Sequence, residues 1–106
     1  MAEVKLIVLY PYPPDIDQFN RDYQDHIKLL RKKMQLPEHA QPYTLTRFVD
    51  TPMGKPVYCL MFTMPFPSAQ ALLEAFSSPE MQEVSADSIR VSSGGTPVVL
   101  VGAEGA

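Results

Sequence analysis

Cysteine is almost missing from this chain: Cys59 is the only one in 106 residues. An intrachain disulfide and any multi-cysteine metal site are therefore excluded, and nothing points to an oxidising compartment. Tyr58, Leu60 and Met61 around Cys59 include no base to lower its pKa, so it reads as a structural residue of a strand. Histidine is nearly as scarce. His26 and His39 stand apart from each other, which argues against a zinc or iron site, and no resident cofactor is expected. Glycine occupies five positions, and the one adjacent pair, Gly94-Gly95, leads into Thr96-Pro97 instead of a helix, so there is no phosphate-cradling loop. A Gly-x-Ser-x-Gly nucleophile elbow is also lacking.

Positive charge is in short supply too. Nine Lys and Arg against twelve Asp and Glu give a formal net charge of -3 and a pI near 5.2. The clustered cations that attract nucleic acid or anionic lipid are not there, so neither nucleic acid nor membrane is an expected partner. The apolar run Leu6–Tyr10 is far too short to span a bilayer, and the start, Met1 to Lys5, lacks the basic region of a signal peptide. The expected location is cytoplasmic.

What is present is an ordinary globular composition, 45% hydrophobic and 20% charged, expected to fold as one domain over residues 1–106. Val4–Tyr10 (VKLIVLY) is apolar on both alternating faces and reads as a strand, stopped by Pro11, Pro13 and Pro14. Asp15 is a helix N-cap with Gln18 three residues on, a variant capping box. From there Ile16, Phe19, Tyr23, Ile27, Leu30 and Met34 recur at three- and four-residue spacing, which predicts a helix with one apolar stripe. Arg31, Lys32 and Lys33 complement its dipole in the last turn, and Leu36-Pro37 ends it.

Tyr43–Val49 (YTLTRFV) alternates as a second strand, Asp50 to Pro56 is a turn by composition, and Val57–Met64 (VYCLMFTM) is a third strand, closed by Pro65 and Pro67. Ser68 caps a second helix whose buried side holds Ala71, Leu72, Ala75 and Phe76. Ser78-Pro79-Glu80 reads as a restart that carries the helix through Met81, Val84 and Ile89. Pro97–Val101 (PVVLV) is the last strand, and Gly102–Ala106 is expected to fray.

This order predicts an α+β fold, a ferredoxin-like β-α-β-β-α-β sandwich with a four-stranded antiparallel sheet and helices on one face. Strands one, three and four are apolar on both faces, so a lone chain would leave a large hydrophobic patch bare, and a second copy is the expected cover. RNA-recognition domains share the strand order, but VYCLMFTM lacks their basic and glycine positions.

Three stretches, KLIVLYPYP (Lys5–Pro13), DIDQFNRDYQDHIKLLRKK (Asp15–Lys33) and FPSAQALLEAFSSPEMQEVSAD (Phe66–Asp87), resemble the ethyl tert-butyl ether degradation (EthD) family of the dimeric α/β-barrel group. The resemblance spans most of the chain. It implies a homodimer whose two sheets face each other across a partly hollow barrel, and it supplies no reaction. Where such proteins often carry a proline two residues after the histidine, this chain has Lys28. The haem-degrading barrels, which use an axial histidine, are a weaker match.

His26, three residues after Tyr23 at the border of the apolar stripe, is the leading catalytic candidate because imidazole gives and takes protons near neutral pH. By residue type alone such a histidine is more often structural, and the resemblance raises its standing. His39, in a proline-flanked loop, reads as solvated. Asp87 is the second catalytic candidate, at a place where the resemblance puts a recurring aspartate; a solvated or capping carboxylate is the plainer reading. If the fold brings them together, Asp87 would orient the His26 ring and raise its basicity. Tyr10, Tyr23, Tyr58 and Phe62 are candidates to line an apolar ligand pocket, though such aromatics are more often core. Arg47, a charge inside a strand, could pair with an acid at the sheet edge or bind a ligand carboxylate, and the structural pair is the expected one.

Three functions fit. The first is a cofactor-independent enzyme on a small apolar or aromatic molecule held between sheet and helices, with His26 moving a proton. The second is a non-catalytic ligand-binding or accessory protein for an oxygenase pathway. The third is a structural homodimer whose interior is filled by side chains, six methionines among the available residues.

Overall fold

A computed structural model describes residues 3–104. The expectations for Met1, Ala2, Gly105 and Ala106 lie outside it. Strand β1 (Val4–Pro11) leads into helix α1 (Ile16–Lys33), then strands β2 (Thr44–Arg47) and β3 (Tyr58–Phe66), helices α2 (Ala69–Ser77) and α3 (Pro79–Val91), and strand β4 (Val98–Ala103). The four strands form one antiparallel sheet in the order β2-β3-β1-β4. It is an open sheet with β2 and β4 as edges, so the single chain is not a closed barrel.

Helix α1 begins where Asp15 accepts the backbone N–H of Gln18 at 3.1 Å. Its buried stripe is Phe19, Tyr23, His26 and Leu30, with Ile16, Ile27 and Met34 half-buried at its sides. His26 thus stands inside the stripe and not at its border. The basic last turn also anchors the loop between α1 and β2, because the Arg31 guanidinium donates to the carbonyls of Pro37 at 2.9 Å and Glu38 at 3.2 Å and to the Tyr43 hydroxyl at 3.1 Å. Ser68 caps α2 through the Ala71 N–H, and Ser78 caps α3 through the Met81 N–H with Pro79 in the first turn. The serine-proline pair therefore breaks one amphipathic segment into two helices, with Ser78 in an extended conformation between them.

All four strands differ from expectation at a boundary, β1 by running through Pro11 and β4 by spanning Val98–Ala103. Strand β2 is shorter than Tyr43–Val49, because the paired register with β3 covers Thr44–Arg47 and past it Phe48 adds one backbone hydrogen bond, to the Cys59 carbonyl at 3.1 Å. Strand β3 runs through Pro65, which lies opposite Lys5 of β1. The pairing with β2 ends at Thr63, so beyond it β3 is an edge that can carry a residue without an N–H. The expected fray at Gly102 does not occur either: Gly102 and Ala103 pair with Lys5 and Val4, and the Lys5 ammonium meets Glu104 at 2.8 Å. At the other end of β4 the chain turns tightly over β1. A methyl at Gly94 would stand 2.7 Å from the Pro11 carbonyl oxygen, so no larger residue fits there.

Directly opposed residues of antiparallel strands share a face. Leu6, Val8 and Tyr10 of β1, Leu60, Phe62 and Met64 of β3, and Val99 and Val101 of β4 face the helices. Ile7, Leu9, Met61, Val98 and Leu100 face the other way, where no element of the chain covers them. The first four are half-buried by their neighbours and Leu100 is 47% exposed. The bare face is therefore an apolar surface of its own.

Candidate functional site

Helix α3 packs against α1 more closely than against the sheet. The gap beneath it is a cavity of about 430 Å³, within the ~300–1,000 Å³ of small-molecule sites. Its walls are apolar side chains of β1, β3, β4 and the three helices, with His26, Tyr10, Ser85, Ser88 and Thr96 as the polar members. None of the lining residues is Lys, Arg, Asp or Glu. The mouth lies between α3 and β4, where the lining residues Ile89, Val99 and Val101 are at least half exposed.

Two consecutive residues of α3 hold the polar groups. Successive positions on a helix point about 100° apart, so Asp87 and Ser88 reach different neighbours. Asp87 Oδ2 lies 2.9 Å from His26 Nδ1, and Ser88 Oγ lies 2.8 Å from the Tyr10 hydroxyl. The second Asp87 oxygen accepts from Arg90 Nε at 2.7 Å, one turn further along the same helix. An ionised carboxylate can only accept. Nδ1 therefore carries the ring hydrogen, and Nε2, which has no partner among the described residues, keeps its lone pair.

The electrostatics suit that arrangement. Burial pushes the His26 pKa down, and this outweighs the opposite pull of the Asp87 hydrogen bond and charge. The basicity of His26 is thus lowered and not raised, because a side chain only 5% exposed cannot hydrate an imidazolium. For Asp87 burial acts upward, but the Arg90 and His26 hydrogen bonds and charges overcome it and hold the carboxyl below its ordinary value. Burial also raises Tyr10, which keeps its phenol protonated and able to donate. At neutral pH the site is a neutral imidazole backed by a carboxylate, beside a pair of neutral hydroxyls.

Aromatic packing fixes the floor behind it. Tyr23 stacks on Phe19 at 5.6 Å, meets Tyr10 edge-on at 5.1 Å and lies 5.3 Å from the His26 ring. Its buried hydroxyl has no hydrogen-bond partner among the described residues. Burial drives the Tyr23 pKa far upward, and the Tyr10 hydroxyl is the nearest polar group that bears on it.

Of the residues singled out from sequence, His26, Tyr10 and Phe62 line the cavity and Asp87 sits behind His26. Tyr23 is buried beneath Tyr10 and is not part of the wall. Tyr58 starts β3 opposite Pro11, also outside the wall. Arg47 finds no acid, because its Nη1 donates to the Asn20 amide oxygen of α1 at 2.6 Å. Lys28 is exposed on the outer side of α1 near Asp25, and His39 is exposed in its loop. Ser85, Ser88 and Arg90 escaped notice in the sequence. The signal that would have found the serines is their three-residue spacing, which puts both on one face of a helix already bearing Asp87. No group of three or more His, Cys, Asp or Glu able to hold a metal occurs among the described residues.

A family model described as the EthD domain matches residues 13–93. No curated protein matches the chain. Among solved structures, an EthD family protein from Bacillus halodurans is 29% identical with a TM-score of 0.81, the match covering 96% of this chain and 98% of that one. A hydroxynitrile lyase from Passiflora edulis is similar at 15% identity and a TM-score of 0.74, covering 98% and 94%. A dimeric ferredoxin-like protein of unknown function from Thermobifida fusca is similar at 12% identity and a TM-score of 0.66, covering 97% and 92%. The last two likenesses establish the fold alone.

The lowered His26 pKa has a consequence for stability. The unfolded chain takes up a proton at the ordinary histidine value of 6.5, before the folded chain does. The contribution is complete above that pH and is lost as pH falls through it toward the lower folded-state value. Asp87 adds a term present above the ordinary carboxylate range and lost below it. Urea unfolding of the wild type is expected to show a falling midpoint between about pH 7 and pH 5, with a shallower fall in His26→Gln. Equal slopes for the two proteins would contradict the assignment.

Proposed function

The chain belongs to the EthD family, and we propose that it binds a small apolar or aromatic organic molecule beside His26 and removes a proton from it, within a degradation or biosynthetic pathway. The observation that carries this reading is the His26 ring in the wall of an apolar cavity, held through Nδ1 by Asp87 and with an Nε2 that has no partner among the described residues. A neutral imidazole with a lone pair is a general base, and a positioned base contributes roughly 10²–10⁴-fold to a rate. The carboxylate behind it stabilises the imidazolium that forms, so the residues present supply the proton chemistry themselves. That a protein of the same fold is a hydroxynitrile lyase is in keeping with an enzymatic use of this architecture.

The working form, on this reading, is a homodimer in which a second copy covers Ile7, Leu9, Met61, Val98 and Leu100. Apolar side chains left unpaired on a sheet face favour such closure, and several proteins of this fold, such as that from Thermobifida fusca, are described as dimeric.

Ligand-observed NMR against a panel of small neutral aromatic compounds tests the cavity. Binding is expected for the wild type and is expected to be lost in Val101→Trp, which blocks the mouth from an exposed position. For any compound that is turned over, His26→Ala should lower the rate by at least about 100-fold while the melting temperature moves by a few degrees. Retained turnover would remove His26 from the chemistry, and binding with unaltered ligand throughout the panel would favour a carrier. In sedimentation velocity the wild type should have the mass of two chains and Leu100→Glu that of one, with unchanged circular dichroism. A wild-type mass of one chain would contradict the dimer.

A further inference from the structure

Resting on the reading of His26 as the base, we propose that the substrate is an uncharged carbonyl compound with a hydrogen on the carbon next to the carbonyl, and that the Tyr10–Ser88 hydroxyl pair seats its oxygen while His26 takes that hydrogen.

The absence of charge in the wall sets the first half of this. A carboxylate or phosphate leaving water would need a cation or several donors in place, and no Lys or Arg lines the cavity. The guanidinium of Arg90, on the same helix, is bonded to Asp87 and its side chain is 59% exposed. Asp87 itself lies directly behind His26, so an anion at the ring would face a like charge. A neutral body fits the apolar walls formed by residues such as Val8, Phe62, Met64 and Leu72.

The polar groups set the second half. Two hydroxyls bonded to each other at 2.8 Å use one of their two protons on that bond. When Tyr10 donates to Ser88, the Ser88 hydrogen is left to donate, and the Tyr23 hydroxyl lies close enough to Tyr10 to bear on it from the other side. Tyr10 is 1% exposed and Ser88 is half-buried, so the pair is largely shielded from water, where a donor polarises an oxygen strongly. Asp87 and Ser88 are adjacent in α3, which brings the base and the donor into one cavity wall. The step then balances without a co-reactant. The His26 Nε2 lone pair takes the proton, the carbon–hydrogen pair becomes the carbon–carbon double bond, and the carbonyl π pair moves onto oxygen, where it receives the free hydroxyl hydrogen bond. The imidazolium faces the Asp87 carboxylate until the proton returns to carbon.

The test is hydrogen-to-deuterium exchange in D2O, followed by proton NMR, on phenylacetone, 2-tetralone and the anionic analogue phenylpyruvate, with saturation transfer to report binding. The wild type is expected to exchange at least one neutral ketone about 100-fold faster than His26→Ala and to leave phenylpyruvate at its buffer rate. Tyr10→Phe and Ser88→Ala should each slow the exchange while melting within a few degrees of wild type. Neutral ketones that bind without exchanging would overturn the carbonyl assignment and leave the cavity reading standing. Exchange that survives in His26→Ala would overturn the base itself. Wild-type rates in both Tyr10→Phe and Ser88→Ala would overturn the oxygen seat, and faster exchange of phenylpyruvate than of the ketones would overturn the uncharged substrate.

Discussion

The Asp87 carboxylate is the contact on which the site depends. It accepts Arg90 with one oxygen and the His26 ring with the other, which keeps it ionised although it is mostly buried. That single group selects the His26 tautomer, holds the ring plane and leaves Nε2 for the cavity. Because Ser88 is the next residue, the same turn of α3 also ties down Tyr10 on β1. A shift of α3 would move the base and the hydroxyl pair together. Their spacing is protected by one helix instead of two independent loops.

The position of α3 depends on chemistry further up the chain. Ser78 ends α2 and caps α3, and Pro79 enters the first turn, so the second helical segment bends at that point. Met81, Val84 and Val91 then bury against the interior and Lys33 of α1 reaches Glu83 at 2.8 Å. The helix is thereby held on α1, and the cavity lies between it and the sheet. Burial that would ordinarily be a cost at His26 becomes useful there. A depressed pKa keeps the ring uncharged at neutral pH, and a dry wall strengthens each hydrogen bond made to a ligand.

Much of this architecture was legible from local patterns. The stripe on α1, the caps at Asp15, Ser68 and Ser78, and the doubly apolar strands all carry their signal within a few residues, and together they specify strand order and the bare face. What was not legible depended on partners distant in sequence. Pro65 reads as a stop, yet β2 is too short to reach it, so β3 continues. Arg47 reads as half of an ion pair, yet the helix above it offers Asn20. His26 looks like a stripe border because periodicity counts apolar residues, while the fold treats it as a member, satisfied by an aspartate 61 positions away. Tyr10 and Tyr23 were equal candidates to line a pocket, and only their packing against each other, Tyr10 over Tyr23, shows which of them reaches the cavity. Ser88 carried no weight by itself, since a helix serine acquires meaning from what stands opposite.

The most direct measurement is the nitrogen-15 shift pair of the His26 ring in long-range proton–nitrogen correlation spectra, recorded from about pH 8 down to pH 5. A neutral ring protonated at Nδ1, with Nε2 at the shift of an unprotonated nitrogen and a titration midpoint below the ordinary 6.5, is the predicted result. A ring protonated at Nε2, or one that becomes a cation above that value, would contradict the assignment of His26 as a base held by Asp87.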